Sequence, residues 1–215
     1  MAEEQMQQVS ESVKIEKLNS GVINFLANVI EARDYGSGEH VKRVQKISRR
    51  VAEHVMADYP EYGLTEDHIK LIEATSALHD IGKISIPDKI LLKPGPLTDE
   101  EKQVMKTHSE KGCELLDLMP DSLDNEYMDY CRQICHYHHE KYDGSGYPEG
   151  ISGEDIPIAA QIVSVADCFD ALTSNRPYKE AYPKDVAIKM ICEGQCGQFS
   201  DKILKSFLKA VEGLV

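Results

Sequence analysis

The chain has 215 residues, with 37 acidic against 24 basic side chains and a formal net charge of −13. That length suits one domain, or one domain with an appendage, around a sizeable core, and the acidic excess argues against a basic surface for long nucleic acid or an anionic membrane. At 41% hydrophobic and 28% charged the composition is that of a soluble globular protein, and eight histidines are the only count that stands out.

Residues 1–30 carry a stripe of Val9, Val13, Leu18, Val22, Phe25, Leu26, Val29 and Ile30 at three- and four-residue spacing, ending before Asp34-Tyr35-Gly36-Ser37-Gly38. Its first half is weakly apolar and rich in Glu and Gln, which fits either a helical lead-in from another module or a dimerising helix. The apolar run from Gly21 to Ile30 contains Asn24 and Asn28 and is far short of the roughly 20 residues a membrane span needs. A second helix is predicted from Glu39 to about Ala57 and a third from Thr65 to Asp80, stopped at Ile81-Gly82. Pro87, Pro94, Gly95 and Pro96 mark a loop region with one short helical turn.

Thr98 and Glu101 have the form of a capping box, opening a helix to about Leu118. Another covers roughly 124–139, before the glycine-rich segment from Asp143 to Gly150. Ile158 to Leu172 is almost wholly apolar and reads as a buried helix, and two more follow Pro183 and Ser200. No segment alternates long enough to seed a sheet, so an all-α fold is expected. The six cysteines, Cys113, Cys131, Cys135, Cys168, Cys192 and Cys196, form no CxxC pair, which leaves no zinc-ribbon or thioredoxin-type motif. Reduced thiols in a cytoplasmic protein are the expectation.

Chemistry concentrates in His40, His79-Asp80, His108, His138-His139 and Asp167. Imidazoles and carboxylates without thiolates suit first-row divalent metals. Five His and two Asp exceed one four-coordinate site, so two adjacent ions are the economical reading, with Asp80 placed to bridge them. Each residue also has a plainer reading. His40 and His108 would serve as solvated surface residues, and His79-Asp80 as a hydrogen-bonded helix end. Asp167 sits in the apolar run 159–166, where an unpaired buried carboxylate costs several kcal/mol; a metal, an Arg or backbone donors would each compensate it. His138 and His139 lie about 100° apart on a regular helix, so both face one site only where the helix ends or distorts.

These residues resemble the HD superfamily of metal-dependent phosphohydrolases. Within it, His79-Asp80-Ile81-Gly82-Lys83 and the HHExxDGxGYP string from His138 to Pro148 are similar to the two signatures of the HD-GYP family, over roughly 31–211. The resemblance implies a helical bundle with a glycine-rich GYP loop, and divides the chain into a lead-in at 1–30 and a catalytic domain at 31–215. It implies hydrolysis of cyclic di-GMP to linear pGpG, GMP or both, by attack of a hydroxide bridging two divalent ions. Iron or manganese come first as candidates, then zinc, nickel, cobalt and magnesium. One ion would be held by His40, His79, Asp80 and Asp167, the other by Asp80, His108, His138 and His139. A third ion, held in some members by a Glu four residues before the first His, is not expected, because that position is Gly36.

By the same resemblance Lys83 contacts the scissile phosphate or assists the leaving alkoxide; as a plain sequence feature it is equally a lysine suited to a helix C-terminus. Gly146 and Tyr147 would meet the nucleotide, and Arg176 and Lys179 the second phosphate, although Arg176 could instead pair with a carboxylate. Asp143 is expected to brace its loop. Alternatives at the same site are cyclic GMP-AMP or another nucleotide as substrate, and a cyclic dinucleotide sensor without turnover. An upstream regulatory module absent from this chain, and a homodimer through the N-terminal helix, complete the expectations.

Overall fold

The structure, a computed structural model, describes residue 21 and residues 25–33, 39–119, 125–175 and 180–212. The N-terminal half of the lead-in stripe, Gly36, Arg176 and Lys179 lie outside the described residues. Among those described, the architecture is all-α: a helical segment at 25–33 (α1), then α2 (Glu39–Asp58), α3 (Glu66–Thr75), the short α4 (Asp88–Leu91), α5 (Asp99–Lys106), α6 (His108–Leu116), α7 (Asn125–Tyr137), α8 (Ile158–Thr173), α9 (Lys184–Cys192) and α10 (Asp201–Glu212). Gln195 and Gly197 form an isolated bridge.

The centre of the bundle is α8, buried on nearly every side from Ala159 to Ala166, as expected of a helix apolar all round. Packed around it are α2, α7, α9 and α10. Phe169 meets Phe207 of α10 edge-on, with ring centroids 5.3 Å apart, and Val51, Val55, Ile69, Ile162 and Ile203 fill the same core. On α2 the buried positions His40, Val41, Val44, Ile47, Val51 and Val55 recur at helical spacing, so His40 lies on the core-facing stripe. Arg49 ties α2 to α3 by bonding Glu53, Glu66 and Glu73. A second cluster, containing Ala27, Val41, Leu78, Leu116 and Cys135, joins α1 to the helices that carry the site.

Two helices break where the periodicity ran on. The helix predicted to Asp80 is α-helical only to Thr75 and continues as 3-10 turns at Ser76–Leu78 and Ile81–Ser85. The Thr75 and Ser76 hydroxyls donate to the carbonyls of Leu71 (2.6 Å) and Glu73 (2.8 Å), local bonds that compete with regular winding. Gly82 then lies so close to α6 that a β-carbon there would collide with the backbone of His108 and Gly112. The helix predicted from Thr98 to Leu118 has the expected Thr98–Glu101 capping box but divides at Thr107, where the Thr107 hydroxyl takes the Val104 carbonyl at 2.7 Å. His108 becomes the first residue of α6. Each break turns a histidine inward.

Candidate metal centre

The site is assembled from five elements. His40 comes from the first turn of α2, and His79 and Asp80 from the turns after α3. His108 opens α6, His138 and His139 follow the end of α7, and Asp167 projects from α8. His79, His108 and His138 are each about 1% exposed. The plain reading of His40 and His108 as solvated residues is therefore wrong; both are buried. Helix α7 ends at Tyr137, and leaving the helix lets both following rings face the site, their centroids 3.9 Å apart.

The donor atoms fall into two groups that share one residue. His40, His79 and Asp80 form one; Asp80, His108, His138 and His139 form the other; within each, the atoms lie within 4.8 Å of one another. Asp80 divides its oxygens accordingly. Oδ2 is 3.3 Å from His79 Nε2, whereas Oδ1 is 3.3 Å from His108 Nε2 and 4.0 Å from His138 Nε2. Asp167 Oδ1 closes the first group at 3.7 Å from His40 Nε2 and 3.8 Å from His79 Nε2.

The other ring nitrogens are committed elsewhere. Nδ1 of His79 donates to Ser76 O at 2.8 Å, that of His108 to Met105 O at 2.8 Å, and that of His138 to Ile134 O at 3.0 Å. Each carbonyl lies three or four residues upstream, so the local winding itself orients the ring and turns Nε2 inward. Nε2 of His79, His108 and His138 is buried without a hydrogen-bond partner, a state that costs free energy unless something else fills the role. A cation coordinated by nitrogen and oxygen would be such a partner, and the residues present fit one.

His40 is held differently. Its Nδ1 meets Asp170 Oδ2 at 2.7 Å, and Asp170, 1% exposed, also accepts from Arg43. Asp170 went unassigned in the sequence reading, although a second aspartate one turn after Asp167 on an apolar helix was the available signal. Glu140, inside the second motif, is likewise buried and accepts from the backbone N–H groups of Glu149 (2.8 Å) and Gly150 (3.0 Å), holding the glycine-rich loop down.

Charge is distributed unevenly. Burial opposes ionisation of Asp80, but Lys83, with Nζ 2.8 Å from Oδ2, and then His79 hold its carboxyl well below the usual carboxylate range. Burial also opposes a charge on His79, yet Asp80 lifts it to about 9. Burial pushes His138 down to about 3, with the charge on His79 and His108 adding to the effect, and it lowers His108 and His139 as well. The neutral imidazoles are ready to ligate.

At the rim, the Tyr147 ring stacks on His139 at 4.6 Å with 25° between planes, and Lys106 Nζ stands 5.0 Å from its centroid. Gly146 lies against the backbone of Glu140 and Lys141, where any side chain would collide, so its missing side chain serves the loop's own packing. Asp143 accepts from the Ser145 amide at 3.0 Å and hydroxyl at 2.6 Å, bracing the loop as expected. Of the three remaining histidines, His68 caps α3 with Thr65 and His136 pairs with Glu149.

The sequence profile of a family described as HD domain matches residues 25–200. The chain is 39% identical over 95% of its length to the cyclic di-GMP phosphodiesterase response regulator RpfG of Xanthomonas campestris pv. campestris, covering 56% of that protein. It is 37% identical over 92% of its length to 3'3'-cGAMP-specific phosphodiesterase 2 of Vibrio cholerae, covering 36% of it. The chain thus spans between about a third and just over half of these relatives. In three dimensions it resembles Bd1817, described as an HDG"Y"P protein from Bdellovibrio bacteriovorus, with a TM-score of 0.59 and 22% identity over 81% of this chain and 52% of that one. Among the described residues no helix is long and apolar enough to cross a membrane.

Proposed function

Because the chain belongs to the HD-domain family, in its HD-GYP branch, we propose that it is a metal-dependent phosphodiesterase that hydrolyses cyclic di-GMP to linear pGpG, GMP or both. The observation that carries this reading is Asp80, one carboxylate shared between two clusters of imidazole nitrogens, three of them buried without a hydrogen-bond partner. His40, His79, Asp80 and Asp167 would hold one divalent ion, and Asp80, His108, His138 and His139 the other. Iron and manganese head the candidates for that donor set. When bound, such ions acidify water and neutralise charge developing on a phosphodiester.

The chain's own groups do the rest. Lys83, mostly buried beside Asp80, supplies a cation at the edge of the cluster for a phosphate oxygen or the departing alkoxide. The exposed edge of Tyr147, backed by His139, offers a rigid aromatic face for a nucleobase. Gly146 sets the height of that loop, and Arg176 and Lys179 complete the phosphate contacts in this reading. Backbone carbonyls and Asp170 keep the imidazoles turned so that their Nε2 atoms point inward.

In this proposal 31–215 is the catalytic domain and 1–30 a lead-in at which an upstream module attaches in a cytoplasmic protein. Phe25 and Val29 are 65% and 50% exposed on α1, while Ala27 and Ile30 are buried. The apolar stripe that continues toward Val9 supports pairing with a second copy along that face.

The test is metal analysis of anaerobically purified protein together with chromatography of cyclic di-GMP digests. About two ions per chain and release of pGpG or GMP are expected. Asp80→Ala should lose more than about 100-fold in activity, since even partners of ligands cost 10–100-fold. Failure to cleave with any of iron, manganese, zinc, nickel or cobalt would overturn the reading, and binding without turnover would replace it with a sensor. The 37% relative favours a second reading, cyclic GMP-AMP as substrate; competition between the two cyclic dinucleotides at equal concentration decides between them.

A further inference from the structure

Where α6 meets α7 lies a group of side chains that the phosphodiesterase reading does not use. Cys113 of α6 is partly exposed and has its Sγ 3.6 Å from His136 Nδ1. The other nitrogen of that ring, Nε2, is 3.1 Å from Glu149 Oε1. A carboxylate on one nitrogen fixes the ring so that the second faces the sulfur, which is how a thiol is polarised toward thiolate. A second thiol is packed in the same cluster: Cys135 of α7, fully buried, with its Sγ against Gly112, the residue before Cys113. A partly exposed thiol facing an oriented imidazole, with a second thiol packed in the same cluster, is the arrangement of a reversible oxidation site.

We propose that Cys113 is a site of reversible oxidation by hydrogen peroxide, with Cys135 as the resolving thiol and His136–Glu149 as the pair that activates it. The Cys113 sulfur attacks one peroxide oxygen, forming an S–O bond as O–O breaks, and the other oxygen leaves as water with the thiol proton. The Cys135 sulfur then attacks the sulfenic sulfur. An S–S bond forms, S–O breaks, and the hydroxyl leaves as a second water with the Cys135 proton. Two thiols give up two electrons and one peroxide becomes two waters, and a dithiol reductant reverses the change. The Cys135 hydrogen bond, with His136 adding to it against the opposing effect of burial, draws the Cys113 thiol down to about 7. Closing the disulfide would tie α6, which begins at His108, to α7, which delivers His138 and His139.

Exposure alone makes a different prediction. Cys192 is the exposed cysteine, and burial of its thiol pushes its pKa up, so a site chosen by access would be Cys192. The experiment uses the full chain loaded with zinc, which is redox-inert, treated with substoichiometric hydrogen peroxide and mapped by peptide mass spectrometry. A Cys113–Cys135 disulfide should form about fivefold or more faster than any product at Cys192, and dithiothreitol should reverse it. In Cys135→Ser, dimedone should label Cys113; in Cys113→Ser, Cys135 should stay reduced. Oxidation of Cys192 ahead of Cys113 would overturn the proposal, as would no dimedone adduct on Cys113 in the folded Cys135→Ser protein. The wild-type map decides on its own should either variant fail to fold.

Discussion

Asp167 and Asp170 sit one turn apart on α8 and have different jobs. Asp167 points its Oδ1 at the Nε2 atoms of His40 and His79; Asp170 is buried, bonded to His40 Nδ1 and Arg43, and never reaches the cluster directly. It acts on the site by fixing which His40 nitrogen carries the proton. Asp170→Asn keeps the shape but removes the charge, and should weaken metal retention about 10- to 100-fold, the range for partners of ligating histidines. Competition with a chelating dye measures this, and unchanged affinity would show that Asp170 is only a packing residue. The same side chain illustrates what could be read from sequence. Asp167 stood out because a carboxylate in an apolar run requires a partner, and the identical argument applied to Asp170. What could not be read was the partner, because Arg43 and His40 lie on α2 and only the folded bundle brings them across.

At the scale of the element, the informative places are where helices stop. The signature strings were legible because their residue types and spacings are themselves the chemistry, and most helix limits followed from caps, glycines and prolines. The breaks at Thr75 and Thr107 were not legible, since neither carries a glycine or proline and the apolar spacing runs through both. They coincide with hydroxyl-to-carbonyl bonds at Thr75, Ser76 and Thr107 and with the close approach of the Ile81–Ser85 turn to α6 at Gly82. Gly82→Ala should therefore cost about 3 kcal/mol, the upper part of the usual range for overpacking, and lower the urea midpoint. A loss of a few tenths, like that of an exposed substitution, would mean the contact is loose enough to give way. Gly146 faces the same constraint against Glu140 and Lys141, which makes the second signature as much a packing rule as a chemical one.

Across the whole molecule, the seven candidate ligands come from α2, the turns after α3, α6, the end of α7 and α8. An ion at their centre would cross-link five elements, three of which otherwise present buried imidazole nitrogens without hydrogen-bond partners. Binding to the folded state alone stabilises by about 4 kcal/mol when free ion exceeds its dissociation constant a thousandfold. For a chain of this size, that corresponds to a rise of about 8–16 °C in melting temperature. Thermal melts with manganese or zinc, then with excess chelator, should show the rise and its reversal. Identical melting curves under both conditions would mean the cluster does not hold an ion in solution. The net charge of −13 is compatible with an anionic substrate only because the positive field is local, and Lys83 is the part of it that the described residues place beside the cluster.

Arg33, at the end of α1, donates to the carbonyls of Lys83, Ile84 and Ile86 and to the carboxylate of Asp88. Four acceptors on one guanidinium make a stiff joint, and the stretch it grips begins at the residue beside Asp80. In mechanical terms α1 is a lever whose short arm ends at Lys83, the cation beside Asp80. A twist or pull applied to α1 would therefore reach the backbone at Lys83 through Arg33 as well as through the cluster around Ala27.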